Sequence, residues 1–450
     1  MTAMLYPEQT RFALRTGVTC LTTPVGAVLL NPPTKEKLTG LASGALQALK
    51  TLNQGPATVG EMARAAAGDD IAPLMRQLTD GGWLTVTVRD GGRDLYSIRP
   101  FAQPTPRPST PLPAWSAALS KFAVLHRDSQ GFVLEHPRAW ADIRIHDPRL
   151  LALLDGPLAV DSQVPVGVKA QLMDDLQWAG FLVDEGAEEA EFNTRSWNAP
   201  DLWFHRRSTL GARTVTWDNF GPTRWADGKF PELPTRRTPF DAAPLPLPVP
   251  DLVALRDADP SFTSTLEDRV STRAFNDNVP IDLTQLGELL YRTSRTRADG
   301  SRPYPSGGGA YELEVYPLVR NVTGVNPGLY HYDSHDHALR LVASIDAEPV
   351  RKLLRATSAT LAGGAEPQVL LLVSARAGRV MWSYEQVAYA NILKHVGVFM
   401  QTVYLAATAM KLGVVAQGFS DTTAFAYATG LDELEEMNVG SIVLGTTRAS

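Results

Sequence analysis

The chain has 450 residues, a length that calls for two or three domains rather than one core. Apolar residues make up 44% and charged residues 20%, the mix of a soluble globular protein, and a net charge of −6 offers no basic field to hold nucleic acid. A single cysteine, Cys20, excludes an internal disulfide, a cysteine-rich zinc or iron–sulfur site and dithiol redox chemistry, so any redox function needs a bound cofactor. No stretch approaches the roughly 18–20 apolar residues of a membrane span. The opening MTAMLYPEQTRF lacks a charged region followed by an apolar one, so no export signal is visible and a reducing cytoplasm is expected.

Residues 11–31 alternate and carry β-branched side chains, which predicts a short hairpin broken at Pro24–Gly26. Leu41, Ala45, Leu49 and Leu52 share one face of a helix over 38–52, ended by Gly55–Pro56. Short helices over 58–66 and 69–79 follow, and Gly81–Gly82 turns into the strands WLTVTVRD and LYSIRP. Helices followed by a β-hairpin wing make a winged-helix pattern.

The pattern recurs. FAVLHRD, GFVLEHP and ADIRIHD read as strands, LLALLDGP as a helix ended by Gly156–Pro157, and VKAQLMDDLQWAGFLVDE mirrors APLMRQLTDGGWLTV. Leu78, Gly82, Trp83 and Leu84 correspond to Leu176, Gly180, Phe181 and Leu182: a helix stopped by glycine, then an aromatic that tucks into the core. Two tandem winged-helix-like modules, 1–100 and 115–190, are expected. Lys169, Asp174 and Asp175 on the second module's helix, with the tail Asp184, Glu185, Glu188, Glu189 and Glu191, disfavour DNA. Scaffolding or dimerisation, and capture of a peptide along an exposed strand edge, both remain open.

Residues 191–250 read as an irregular connector rich in Trp, Arg and Pro, in which PLPLPVP is stiff and extended and His205 is a loop histidine. Arg269, Ser271 and Arg273, two apart in EDRVSTRAF, project together from an extended segment and are able to fork around one anionic group. The same string also occurs on solvated surfaces. LTQLGELLY predicts a helix over 283–291. Pro305-Ser306-Gly307-Gly308-Gly309 brings backbone N–H groups against a flat ligand without Cβ obstruction, or is a plain flexible loop. Ala310–Leu313 would open a helix and VYPLV a strand. GLYHYDSHDHALRLV predicts a hairpin turning at DSHDH, where His331, His335 and His337 lack the spacing of a metal site. PQVLLLVSA reads as a buried strand. A long helix follows with Val387, Ile392, Val396, Phe399, Val403, Ala407 and Met410 on an apolar stripe, then the AQGFSD turn and a last strand, VGSIVLG.

In order and spacing, DLWFHRRS, VSTRAF, PSGGGAYELEVY, GLYHYD, the long helix and GFSD resemble the SagB-type dehydrogenases of the nitroreductase superfamily, over most of residues 195–450. The resemblance implies an α+β chain: a nitroreductase-like FMN domain over 251–450, preceded by the two winged-helix-like modules, the second a candidate for peptide binding. It implies a homodimeric FMN enzyme that oxidises thiazoline or oxazoline rings to azoles in a ribosomally made precursor peptide, working beside cyclodehydratase components. Arg269 and Arg273 would hold the FMN phosphate and ribityl chain, with Ser271 assisting and Arg448 adding a contact. Pro305, Ser306, Gly307 and Gly308 would line the isoalloxazine from the other subunit, and Gln417 and Gly418 would aim a backbone N–H at flavin N5 or O4. Tyr384 would take the azoline proton. Ser383 stands where the family has a lysine, and Val398 where it has a histidine. Arg379 or His395 would then activate Tyr384, because a tyrosine with a pKa near about 10 is a weak base alone. A reductase on another substrate, such as a carrier-bound thiazoline, and a flavin fold kept only as a scaffold are the alternatives.

Overall fold

The computed structural model describes residues 6–24, 26–32, 34–155, 164–211, 213 and 221–447. The chain divides into two compact units, Met1–Trp217 and Asp218–Ser450.

The first unit begins with β1 (Arg11–Leu14) and a three-stranded meander, β2 (Thr19–Thr23), β3 (Gly26–Asn31) and β4 (Thr34–Thr39). Then come α1 (Ser43–Gln54), β5 (Ala57–Thr58), α2 (Val59–Ala65), α3 (Ala72–Asp80) and the wing strands β6 (Leu84–Asp90) and β7 (Arg93–Pro100). The second half supplies β8 (Ala117–Leu119), β9 (Val124–Asp128), β10 (Gly131–Glu135) and β11 (Ala141–Ile145). After them come a 3-10 helix over Pro148–Asp155, then α4 (Val166–Trp178) and β12 (Leu182–Asp184). The expected Gly156–Pro157 stop lies outside the described residues.

The glycine–aromatic repeat has a definite geometry. After α3, Gly82 takes φ +69 and the Trp83 N–H reaches back to the Leu78 carbonyl (2.9 Å); after α4, Gly180 takes φ +83 and the Phe181 N–H reaches the Leu176 carbonyl (2.8 Å). Left-handed backbone at that position suits glycine, and the returning bond drops the aromatic into the core. A Cβ on Gly82 would also stand 2.6 Å from the Ala102 carbonyl oxygen.

Strands of both expected modules join in one sheet, ordered β5-β1-β6-β7-β11-β10-β9, with Ile143 of β11 opposite Ile98 of β7. One apolar core runs from Tyr6 to Leu182. Asp175 sits inside it, fully buried, accepting from the hydroxyls of Tyr6 (2.9 Å) and Tyr96 (2.7 Å) and from Arg107 (2.8 Å). A buried carboxylate needs such donors. It is therefore an internal clamp and not, as its helix position suggests, a surface charge that repels phosphate.

The stretch expected to be irregular carries α5 (Ala187–Ala190), α6 (Phe192–Arg195) and α7 (Ala199–Arg207). The Asn198 side chain caps α7 by accepting from the Asp201 N–H (2.9 Å), with a proline in the first turn, so Asn-Ala-Pro-Asp is a helix start. His205 lies exposed on this helix, its ring 5.9 Å from that of Trp197.

The second unit opens with β13 (Leu245–Pro246), part of the proline-rich run, which pairs with Ala338–Leu339 at the sheet edge. Helices α8 (Leu252–Ala258), α9 (Phe262–Asp268) and α10 (Leu283–Ser294) precede β14 (Leu313–Val319), β15 (Gly328–Asp333) and β16 (Ala338–Ser344). Then follow α11 (Glu348–Ser358), β17 (Val369–Ala375), α12 (Ala377–Met381), α13 (Ala388–Ala409), β18 (Leu412–Gln417), α14 (Thr422–Thr429) and β19 (Met437–Thr446). The antiparallel sheet runs β13-β16-β15-β14-β17-β19-β18. Along β17, Val369, Leu371 and Val373 pack with α10 and α13, while Leu370 and Leu372 pack with α11 and α14. Period-2 alternation between two apolar faces explains why VLLLVSA is apolar throughout.

Two expectations for this unit change. Ala310–Leu313 opens no helix: a single turn over Gly307–Gly309 ends at Tyr311, whose φ of +44 stops helical propagation before β14 begins. The long helix starts at Ala388, so Tyr384 lies before it, in the turn after α12. No helix among the described residues is long and apolar enough to cross a membrane.

Candidate functional site

Two clusters along α13 organise the site. The first is the glycine loop between α10 and β14. His395, buried on α13, faces it with both ring nitrogens: Nε2 accepts from the Gly307 N–H (2.7 Å), and Nδ1 lies 2.7 Å from Glu312 Oε1. An acceptor at Nε2 leaves the proton on Nδ1, which donates to the carboxylate. Ser306 Oγ donates to Glu312 Oε2 (3.2 Å) and accepts from the Tyr311 N–H (3.0 Å). The strained Tyr311 backbone is thus held by the same group that ties the loop to Glu312. Such non-glycine left-handed residues cost about 1–3 kcal/mol and collect at functional loops.

The next residue meets the other side of the cleft. Gly308 has φ +63, and a Cβ there would stand 2.9 Å from the Tyr384 hydroxyl. At Gly307 a Cβ would stand 3.2 Å from His395 Nε2. A Cβ at Gly307 would press on His395 and one at Gly308 on the Tyr384 hydroxyl, so the two glycines let both side chains close on the loop. Gly309, also left-handed at φ +67, has open space beside it, and Pro305 is exposed. The structure brings Ser306, Gly307, Gly308, Tyr384 and His395 into one place.

The second cluster lies nine residues further along α13, about 13 Å at 1.5 Å per residue. Tyr404 OH hydrogen-bonds Ser271 Oγ (3.0 Å) and accepts from the Ala416 N–H (2.9 Å), while the Arg269 guanidinium lies 5.4 Å from its ring centroid. Alternation along the extended segment is real: Arg269 and Ser271 meet Tyr404, whereas Thr272 packs toward Gly413 and donates its N–H to the Val414 carbonyl (2.9 Å). Arg273 is exposed, and its carbonyl accepts from the Ala362 N–H (3.0 Å). Gln417, at the end of β18, accepts from Thr357 (3.3 Å) and donates to Thr360 (2.9 Å), which fixes the turn; the following Gly418 is exposed with open space around it. Arg448 lies outside the described residues.

The arginine offered as an activator of Tyr384 is occupied elsewhere. Arg379 donates to the carbonyls of Ala310 (2.7 Å) and Leu233, and burial lowers its pKa. It fastens the far end of the glycine loop. The histidines of the hairpin have local partners: His331 Nε2 lies 3.2 Å from buried Glu314, and His337 bridges the Tyr332 hydroxyl (2.9 Å) and the Pro248 carbonyl (3.0 Å). Burial raises the Glu314 pKa, but the His331 hydrogen bond, with Arg302 and Arg376, outweighs it and holds the carboxyl below its usual range.

Sequence reasoning missed Glu312 and Tyr404. Glu312 fell within the expected helix start over Ala310–Leu313, with nothing to mark it, and its burial follows only from its pairing with a histidine 83 positions away. Tyr404 stood one position after Val403 on the apolar stripe, with nothing to mark its hydroxyl.

Comparison with known proteins follows this geometry. The nitroreductase family model matches residues 266–446, and the model of the cyanobactin oxidase ThcOx matches residues 117–214. A nitroreductase-type protein of Methanocaldococcus jannaschii is 31% identical over 140 residues, 31% of this chain and 69% of that protein. The chain belongs to the nitroreductase family. Two solved structures are also similar: a nitroreductase-type protein of Ralstonia eutropha (23% identity, 52% of this chain, 100% of that chain, TM-score 0.38) and the microcin synthetase McbBCD complex of E. coli with truncated pro-MccB17 bound (20%, 46%, 88%, TM-score 0.35). The nitroreductase match contains the glycine loop, Tyr384, His395, α13 and the Tyr404 cluster. As a member of that family, the chain carries an oxidoreductase fold in its C-terminal unit, one whose members typically bind flavin.

Proposed function

We propose that this member of the nitroreductase family is an FMN-dependent dehydrogenase that oxidises azoline rings to azoles in a ribosomally made peptide, the SagB-type reaction. The observation that carries the reading is the Tyr384 hydroxyl standing against the Gly308 backbone, a proton acceptor set beside a surface stripped of side chains. The cyanobactin oxidase match over 117–214 supports a peptide substrate and a place among cyclodehydratase components.

The residues present fit the cofactor. Gly309, with open space beside its backbone, leaves room for a flat ring, Arg269 and Ser271 meet on Tyr404 as donors for a phosphate, and exposed Arg273 is free to swing toward the same anion. Gln417 holds the turn on which Gly418 would offer its backbone to the cofactor. The chemistry that FMN would supply there is acceptance of the hydride that an azoline loses on becoming an azole. Tyr384 Oη accepts the ring proton that leaves with it. His395, with both nitrogens engaged, positions the loop rather than exchanging protons. Tyr389 and Leu393, one turn apart on α13, are exposed apolar side chains that a second copy would cover in a homodimer whose partner loop completes each flavin site.

The visible spectrum of the purified protein tests the cofactor, and Tyr384→Phe tests the chemistry. The variant should stay yellow and lose most of its turnover on an azoline-bearing peptide. Unchanged turnover would sink the assignment, and absent flavin bands would favour a scaffold that has lost its chemistry.

A further inference from the structure

The first unit holds a cavity of about 660 Å³ that the proposed reaction does not use. Its walls come from the loop after β1, the β3–β4 turn, the residue after α3 and the end of β7. Four cationic side chains line it, Arg15, Lys35, Arg99 and Arg213, against two acids, Glu36 and Asp142.

Both acids are already engaged. Glu36 accepts from Gln77 (2.7 Å) and from the Trp83 indole; Asp142 accepts from Arg213 (2.7 Å). Arg213 also donates to the His136 carbonyl (3.0 Å) and lies 4.1 Å from the Phe101 ring centroid. Arg15 lies 5.4 Å from the Trp83 ring centroid and, with the Asn31 amide turned so that its oxygen faces the guanidinium, donates to that oxygen (2.7 Å), so it has neutral partners only at these contacts. Arg99 is half-buried, and its Nε is buried without a hydrogen-bond partner among the described residues. Burial lowers the pKa of both Arg15 and Arg99. The carboxylates of Asp142, Asp128 and Glu135 act on the Arg99 charge through space, but an N–H withdrawn from water without an acceptor is unfavourable, and an anion in the cavity would relieve it.

We infer that this cavity is a carboxylate-binding subsite that receives an acidic side chain of a peptide. The inference rests on the peptide-modifying reading above. Arg99 and Arg15 supply the fork geometry that matches a carboxylate, Lys35 adds charge at the exposed rim, and Trp83 and Phe101 give apolar walls for the methylene stem. A dianionic phosphate fits less well, because Glu36 and Asp142 would face it.

The test uses the full-length holoprotein and a fluorescein-labelled decapeptide carrying three glutamates, beside its glutamine counterpart, read by anisotropy. The acidic peptide should bind at least about tenfold more tightly than the neutral one, a difference of about 1.4 kcal/mol. Arg99→Met should abolish most of that preference, and Lys35→Glu, an exposed change that leaves the core untouched, should weaken it several-fold. Glutarate should compete more effectively than inorganic phosphate. Equal binding of the two peptides, wild-type binding by both variants, or competition by phosphate alone overturns the assignment. Turnover on a leaderless azoline substrate separates this inference from the reaction itself: its loss with peptide preference intact refutes only the reaction, and the converse refutes only the subsite.

Discussion

Replacing His395 by alanine removes the Nδ1–H that Glu312 accepts and the Nε2 lone pair that Gly307 uses. Glu312 has no exposed surface, so its carboxylate would keep only the Ser306 hydroxyl, and the Gly307 N–H would lose its acceptor. Removing the neutral imidazole that donates to this buried carboxylate strands its charge, which costs about 3–5 kcal/mol, as when a buried pair is broken from one side. At about 2–4 °C per kcal/mol for a unit of this size, His395→Ala should lower the melting temperature by roughly 6–20 °C. Glu312→Gln alone keeps an acceptor for Nδ1–H and should cost about 1 kcal/mol. The informative variant is the double. Glu312→Gln in the His395→Ala background removes the stranded charge, so the double should be more stable than His395→Ala alone by about 1–3 kcal/mol. Differential scanning calorimetry on the four proteins closes the cycle. Additive losses would falsify the reading of Glu312 as a charge held in place by His395.

Three other perturbations follow from the same geometry. Gly309→Ala meets open space and should cost only the left-handed backbone, about 1–2 kcal/mol, whereas Gly308→Ala must also displace the Tyr384 hydroxyl and should lose turnover that Gly309→Ala keeps; equal turnover in the two would break the link between Tyr384 and the loop. Arg269→Ala should release the flavin more readily than wild type on dilution into salt, while Tyr404→Phe, which removes the hydroxyl shared by Ser271 and the Ala416 N–H, should do so to a smaller degree; flavin absorbance after gel filtration reads both. His136, buried and flanked by Arg138 and Arg213, has its pKa lowered to about 4. A histidine whose folded pKa is depressed stabilises above its unfolded value of about 6.5 and loses that contribution as pH falls toward 4, up to about 3 kcal/mol. Asp142 and Asp175, raised by burial, titrate with the opposite sign. The measurement is therefore the difference in denaturant midpoint between wild type and His136→Gln, which should shrink from pH 7 to pH 4.

What the sequence made legible were features with a local cause. Gly82 and Gly180 announce themselves because a helix stop and a buried aromatic fall within a few residues of each, and the structure gives both a left-handed backbone and the same returning hydrogen bond. Arg269 and Ser271 were legible as a pair for the same reason: two-residue spacing in an extended segment fixes which way side chains point. Helix α7 was legible in principle, through Asn198 and the proline that follows, but Trp and Arg obscured the cap.

Glu312, Tyr404 and Asp175 were not legible, because what each does is set by partners 83, 133 and 169 positions away. Asp175 shows the physical reason most clearly. On a helix with Lys169 and Asp174 it has the profile of a solvated acid, yet two tyrosine hydroxyls and an arginine bury it completely. Charge alone does not reveal burial; the donors that compensate it do, and they are known only once the sheet is assembled. The same argument bears on the reaction. Ser383 in place of the family lysine suggests lost chemistry when read as a string. In the fold, Tyr384 still stands on Gly308, and the loop beneath it is fixed by His395, Glu312 and Ser306. In the proposed reaction, serine at position 383 leaves Tyr384 in place on Gly308 and shifts the question to what activates it, which the pH profile of turnover in wild type and Ser383→Lys will answer: a lysine placed beside Tyr384 should move the rising limb to lower pH.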